Sequence, residues 1–142
     1  MSFEEKSAWI TGLGVGICWL WYAIVAAINL PVQAFVEIGY RGPLIVSVVI
    51  AIVIIIASHI VVSIFAPREA GQRDERDRDI ERFGNYIGQF VIGVATLGIL
   101  AMAMLEMHYF WIANLAYLGL ALSEIVTSGA RIAAYRFGIH QW

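Results

Sequence analysis

Polar and apolar residues do not alternate along this chain. They separate into blocks. Apolar blocks occupy about 8–30, 43–65, 84–105 and 110–130. Each has the length of roughly 20 residues at which a helix crosses a hydrocarbon core about 30 Å thick. Pro31 follows the first block and Pro67 the second, where a residue unable to continue a helix is expected. Helices are the natural reading, because hydrocarbon offers no partners to open backbone groups. The pattern predicts an all-α integral membrane protein, a four-transmembrane-helix bundle of two antiparallel hairpins. Residues 1–142 form a single membrane domain, with a charged loop at 66–83.

Composition agrees with this reading. Of 142 residues, 61% are apolar and 14% charged, against about 45–50% and 25% in soluble domains. Such a chain is not expected to be a secreted disulfide scaffold, a nucleic-acid-binding module or a disordered regulator. A net charge of −2 calls for no polyanionic partner. Cys18 is the sole cysteine, so it has no internal disulfide partner. No cleavable signal peptide is expected, since Glu4, Glu5 and Lys6 are not a basic leader.

The distribution of Lys and Arg sets orientation. Lys6 precedes the first block. Arg68, Arg73, Arg76, Arg78 and Arg82 separate the second from the third, and Arg131 and Arg136 follow the fourth. Arg41 alone lies on the other side. Both termini and the 66–83 loop are therefore expected in the cytoplasm. The 31–42 connection and a turn at 106–109 are expected outside. In the 31–42 connection, Val32, Phe35 and Val36 fit one face of a short helix, with Gln33 and Glu37 on another. The segment reads either as a helix flat in the interface or as a partly buried turn. Trp9, Tyr40, Tyr86, Tyr109, Phe110, Trp111 and Tyr135 fall near the boundaries and read as headgroup-level anchors. Trp19, Trp21 and Tyr22 lie deeper, for lipid or core packing.

The second and fourth blocks share a pattern. Ser58-His59-Ile60-Val61-Val62-Ser63 matches Ser123-Glu124-Ile125-Val126-Thr127-Ser128 at four of six positions. Gly12 and Gly88 each follow an acid, Glu5 and Glu81, by seven residues. A duplication would make the hairpins a parallel repeat about an axis along the membrane normal; the abundance of Ile and Val also permits coincidence. Either way, His59 and Glu124 lie at similar depth, roughly 10 Å inside the cytoplasmic boundary at about 1.5 Å per residue. Glu124 is the one carboxylate within the four blocks. Ionisable groups at such depth are costly and face protein or water. The candidate intramembrane polar site is His59 and Glu124, with Ser58, Ser63, Ser123, Thr127 and Ser128 supplying hydrogen bonds. It could relay protons or hold a cation. The alternative is a structural cluster that fixes helix packing.

The acid–arginine run is the most distinctive stretch. Asp74, Glu75, Arg76, Asp77, Arg78 and Asp79 form the candidate partner-docking set, on a helical extension into the third span. Asp74–Arg78 is a favourable i,i+4 pair, while Glu75–Asp79 and Arg78–Arg82 repel. A solvated, self-paired face is the plain alternative. Asp74, Asp77 and Glu81 share a face but lack the ligand order of a calcium loop, and Glu106 with His108 is a weak ligand pair. No metal, cofactor or catalytic residue is expected, for no catalytic motif is present. Asn114 reads as a helix–helix bonding amide. Gly12 with Gly16, and Gly84 with Gly88, permit close helix contact within the bundle or between copies.

Asp74-Glu75-Arg76-Asp77-Arg78 followed by Gly84-Asn85-Tyr86-Ile87-Gly88 resembles a family of small four-helix bacterial inner-membrane proteins of unknown function. Phe110-Trp111-Ile112-Ala113-Asn114 and Ser123-Glu124-Ile125-Val126 are similar to its fourth helix. The resemblance covers roughly residues 73–137. Members are encoded beside small helix-turn-helix regulators, which implies an accessory or regulatory role and fixes no activity. The expected function is a non-enzymatic accessory protein of the inner membrane that presents its charged loop to a cytoplasmic or membrane protein partner. The alternative is a small proton-coupled transporter or channel, as a homo-oligomer, using Glu124 and His59. Small multidrug exporters carry their embedded carboxylate in the first helix; here it is in the last. The expected partners also include the lipid bilayer and exclude nucleic acid.

Overall fold

The computed structural model describes residues 3–65 and 75–138, with side chains at 5–61, 64 and 77–138. Its elements are α1 (Phe3–Asn29), a π-helical turn (Phe35–Gly39), α2 (Arg41–Phe65), α3 (Glu75–Met104) and α4 (Tyr109–Phe137). Every regular element among the described residues is helical, and four helices are long and apolar enough to cross a membrane. They outrun the apolar blocks on one side. α1 begins before residue 8, α3 before 84, and α4 continues past 130. Polar helix ends persist because they pack and pair. Ile80 is wholly buried, Asp77 accepts from the Tyr135 hydroxyl at 3.1 Å, and Glu5 pairs with Arg136 at 3.3 Å. The Arg136 guanidinium also lies 5.8 Å from the Trp9 ring centroid.

The bundle is apolar outside, and its interior combines small and polar residues with a few aromatic rings. On α1 the buried positions are Glu5, Ala8, Thr11, Val15, Cys18, Tyr22 and Ala26, a stripe at spacings of three and four. The exposed stripe is Ile10, Leu13, Ile17, Leu20, Ile24 and Ile28. Buried side chains elsewhere include Ser47, Ser58, Ser123, Thr127 and Ser128. Water would drive the large aliphatic residues inward. This chain turns them outward on every helix, and small interior residues let the backbones approach.

The helices pack in the order α2, α1, α4, α3. Both pairs of glycines are used inside the bundle. A methyl group on Gly12 would lie 2.8 Å from Ser128 Cβ of α4, and one on Gly88 would collide with Thr127 Oγ1. α1 and α3 thus lean against opposite flanks of α4. The two hairpins share an internal register. Thr11 bonds to Ser58 at 2.9 Å, and one position along, at Gly88, the carbonyl accepts from Ser123 at 2.9 Å. The symmetry ends there. A parallel repeat would pack α3 along α2 as α1 packs along α4, whereas the described α2 and α3 are not packed along each other.

At the far end from the loop the 31–42 connection is no flat amphipathic helix. Tyr40 N–H donates to Phe35 C=O at 3.0 Å, the i→i+5 bond of a π turn. This wider spacing brings Phe35 and Tyr40 to the same side. Both rings meet Phe110, with centroids at 6.4 and 5.1 Å. Val32 is left exposed. Tyr40 and Phe110 are therefore core residues and not headgroup anchors, while Tyr86 and Tyr109 remain exposed. The partly buried turn is the outcome, anchored by aromatic contact.

A hydrogen-bonded chain joins three helices deeper in the bundle. Ser47 Oγ donates to Cys18 C=O at 2.7 Å. Its single proton is then used, so the Tyr117 hydroxyl, 2.6 Å away, must donate to Ser47. Tyr22 donates to Asn114 at 2.9 Å, and Asn114 to Phe110 C=O at 2.7 Å. Direction predicts an asymmetry. Ser47→Ala leaves a buried tyrosine hydroxyl without an acceptor and should cost about 1–3 kcal/mol. Tyr117→Phe leaves the Ser47–Cys18 bond intact and should cost less than about 1 kcal/mol. Unfolding in sodium dodecyl sulfate, followed by circular dichroism, measures both; a larger loss in Tyr117→Phe would refute the donor order.

Candidate functional site

Where α3 and α2 part, a crevice of about 350 Å³ opens. α2 contributes Ile55 and His59. α3 contributes a stripe, Glu81, Asn85, Gly88, Gln89 and Ile92, spaced by three, four and one residues so that all face one way. α4 supplies the third wall through Ser123, Glu124, Thr127 and Arg131. Eight of these eleven side chains or backbones bear on polar chemistry, in a part of the chain otherwise walled by Ile and Val; the exceptions are Ile55, Gly88 and Ile92.

The structure brings His59, Glu124, Ser123 and Thr127 to this one crevice. His59 Nδ1 lies 2.8 Å from Ile55 C=O. A carbonyl can only accept, so Nδ1 carries a proton and donates to it. Ser123 donates to Gly88 C=O at 2.9 Å, and Thr127 packs on the same glycine. These two groups hold α3 close enough to form the wall. Glu124 is half-buried, and no hydrogen bond or ion pair to its carboxylate occurs among the described residues. Arg131, at the loop end of the crevice, donates from Nη2 to Asn85 at 2.8 Å. Its Nε is buried against Gly84 without an acceptor.

Ser58 does not belong to the crevice. It donates to Ile55 C=O at 2.7 Å and therefore accepts from Thr11, in the α1–α2 contact. Ser128 is likewise turned to Gly12. Ser63 has no described side chain. Of the candidate docking set, Asp74 lies outside the described residues, and the side chains of Glu75 and Arg76 do too. Asp77 turns inward to Tyr135. Arg78 and Asp79 are exposed.

Glu81, Asn85, Gln89 and Arg131 enter the site although the apolar blocks do not mark them. The signal was present in their spacing: Glu81, Asn85 and Gln89 recur every four residues and share a helical face. Starting the third span at Gly84 hid it, by placing Glu81 in the loop. Comparison with protein-family models, with curated proteins and with solved structures gives no match.

Proposed function

We propose that this chain is a multi-pass protein of a bacterial inner membrane, with cytoplasmic termini, that binds a cationic solute in the α2–α3–α4 crevice and exchanges it for a proton. The outward aliphatic surface and the Lys and Arg bias support the membrane and the orientation. The sequence resemblance over 73–137 supports the bacterial setting. One observation carries the function: the Glu124 carboxylate lines an open crevice beside His59 with no described partner. An ionised carboxylate removed from water is costly unless a cation meets it. A proton and a positively charged solute then compete for one place, which is the minimal device for proton-coupled exchange. The lining matches that role. It carries two carboxylates, Glu81 and Glu124, one guanidinium, Arg131, and the imidazole of His59.

The exposed pair Arg78 and Asp79 supports a second reading, an accessory protein that docks a partner through the end of α3. One experiment separates the two. In proteoliposomes under an imposed pH gradient, uptake of radiolabelled tetraethylammonium should be driven by the gradient. It should fall by about tenfold or more in Glu124→Gln, and be unchanged when Arg78→Glu is combined with Asp79→Arg. Uptake that survives Glu124→Gln, or that never exceeds empty vesicles, would refute the exchange reading.

A further inference from the structure

The polar crevice does not end at Glu124. A second space of about 190 Å³ continues from it, lined by Val48, Ala51 and Ile52 of α2 and by Tyr117, Leu120 and Ala121 of α4. The two spaces share four residues, Ile55, Ile92, Ser123 and Glu124. The carboxylate therefore sits at a seam, with polar side chains on the loop side and aliphatic walls on the other.

The seam has a direction. From Glu124 toward the loop, α4 presents Thr127 and Arg131, and α3 presents Asn85 and Glu81. From Glu124 toward the bundle centre, α4 presents Ala121, Leu120 and Tyr117. A polar end toward the cytoplasm and an apolar end toward the bilayer centre is the orientation of an amphiphile in the cytoplasmic leaflet. The access route fits as well. α2 and α3 are not packed along each other, so the space opens sideways between two helices whose outer faces are apolar.

From this arrangement we propose that the ligand is a cationic amphiphile, which enters between α2 and α3 from the cytoplasmic leaflet. Its amine lies at Glu124 and its apolar body lies among Val48, Ala51, Leu120 and Ala121. The proposal rests on the cation-binding reading above and adds the body that the cation carries. A purely hydrophilic ion would leave the apolar space unused, and an anionic amphiphile would set its charge against Glu124.

The test uses the full chain in lipid nanodiscs with an octyltrimethylammonium probe bearing a diazirine at the tail end, and an octyl sulfate probe with the same tail. After illumination, peptide mass spectrometry locates the label. The cationic probe should mark Val48, Ala51 and Ala121. Excess unlabelled octyltrimethylammonium should reduce that label by about tenfold. Glu124→Gln should lose it and Glu124→Asp, which keeps the charge, should retain it. The sulfate probe should mark only outward residues such as Ile17 and Leu97. Cationic label spread over those outward residues without competition would overturn the proposal. If tetraethylammonium uptake still depends on Glu124 in that case, the cation site stands and the amphiphile falls. If uptake is also absent, both fall. Equal, competable labelling of the pocket by the sulfate probe would overturn the assignment of a cationic head.

Discussion

Gly88→Leu is expected to separate α3 from α4 and to destabilise the bundle by about 3 kcal/mol or more, at the upper end of the overpacking range. The reason is local and steric. A Cβ at this position collides with Thr127 Oγ1 and lies 3.1 Å from Ser123 Oγ and 3.4 Å from the Ser123 carbonyl. Threonine has only two common χ1 rotamers in a helix, and the Ser123 carbonyl belongs to the backbone, so the full leucine side chain is not accommodated without moving α4. The same shift breaks the Ser123–Gly88 hydrogen bond. Gly93 supplies the comparison, because a Cβ there meets nothing within 4 Å. Gly93→Leu should be neutral or slightly stabilising, given the poor helix propensity of glycine. Unfolding in sodium dodecyl sulfate compares the two. Equal midpoints would show that the α3–α4 contact does not depend on the close approach. Since Gly88 also lines the crevice, the leucine variant should lose the proposed cation binding together with its stability.

The second large effect is expected from Phe110→Ala, at about 2–4 kcal/mol. Phe110 is 2% exposed and holds the rings of Phe35 and Tyr40 in edge-on contact. Truncation leaves a cavity, and the contacts of the surrounding atoms are lost with it. The part of the usual penalty that arises from transfer out of water is reduced where the surroundings are already apolar, which places the value below the top of the range for soluble cores. The loss is not confined to α4. Phe35 and Tyr40 anchor the π turn, so amide hydrogen exchange should accelerate at Tyr40, whose N–H closes that turn. Tyr109→Ala, at a neighbouring but 75% exposed residue, should change neither readout. Unaltered exchange at Tyr40 in Phe110→Ala would remove the aromatic cluster as the anchor of the 31–42 connection.

The network around Ser47 shows how far residue type can be read without the fold. A lone amide in an apolar block, Asn114, points to a bond between helices, and the structure supplies one from Tyr22. The partner was not legible, because Tyr22 and Asn114 are 92 positions apart and nothing in either block encodes which faces meet. Tyr117 and Ser47 were less visible still. Serine and tyrosine are common in apolar helices, and their importance here comes from burial beside one another. The glycine pairs follow the same logic. Small-residue spacing announces close contact, but a choice between contact within the bundle and contact between copies requires the opposing surface. Ser128 and Thr127 provide it within the chain.

The sequence by itself determined the four helices, their approximate limits, the antiparallel hairpins and the common level of His59 and Glu124. These properties follow from local periodicity, from length and from a rise of about 1.5 Å per residue. It did not determine which helices neighbour one another. Large apolar residues line the outward face of all four, and an apolar face does not by itself specify which helix packs beside it. Tertiary packing chose the order α2, α1, α4, α3 through the glycine and serine contacts, and so left α2 and α3 apart. That separation assembled the crevice. It brought Glu81, Asn85, Gln89 and Arg131 to His59 and Glu124, sent Ser58 to Thr11, and joined a polar space to an apolar one at a single carboxylate.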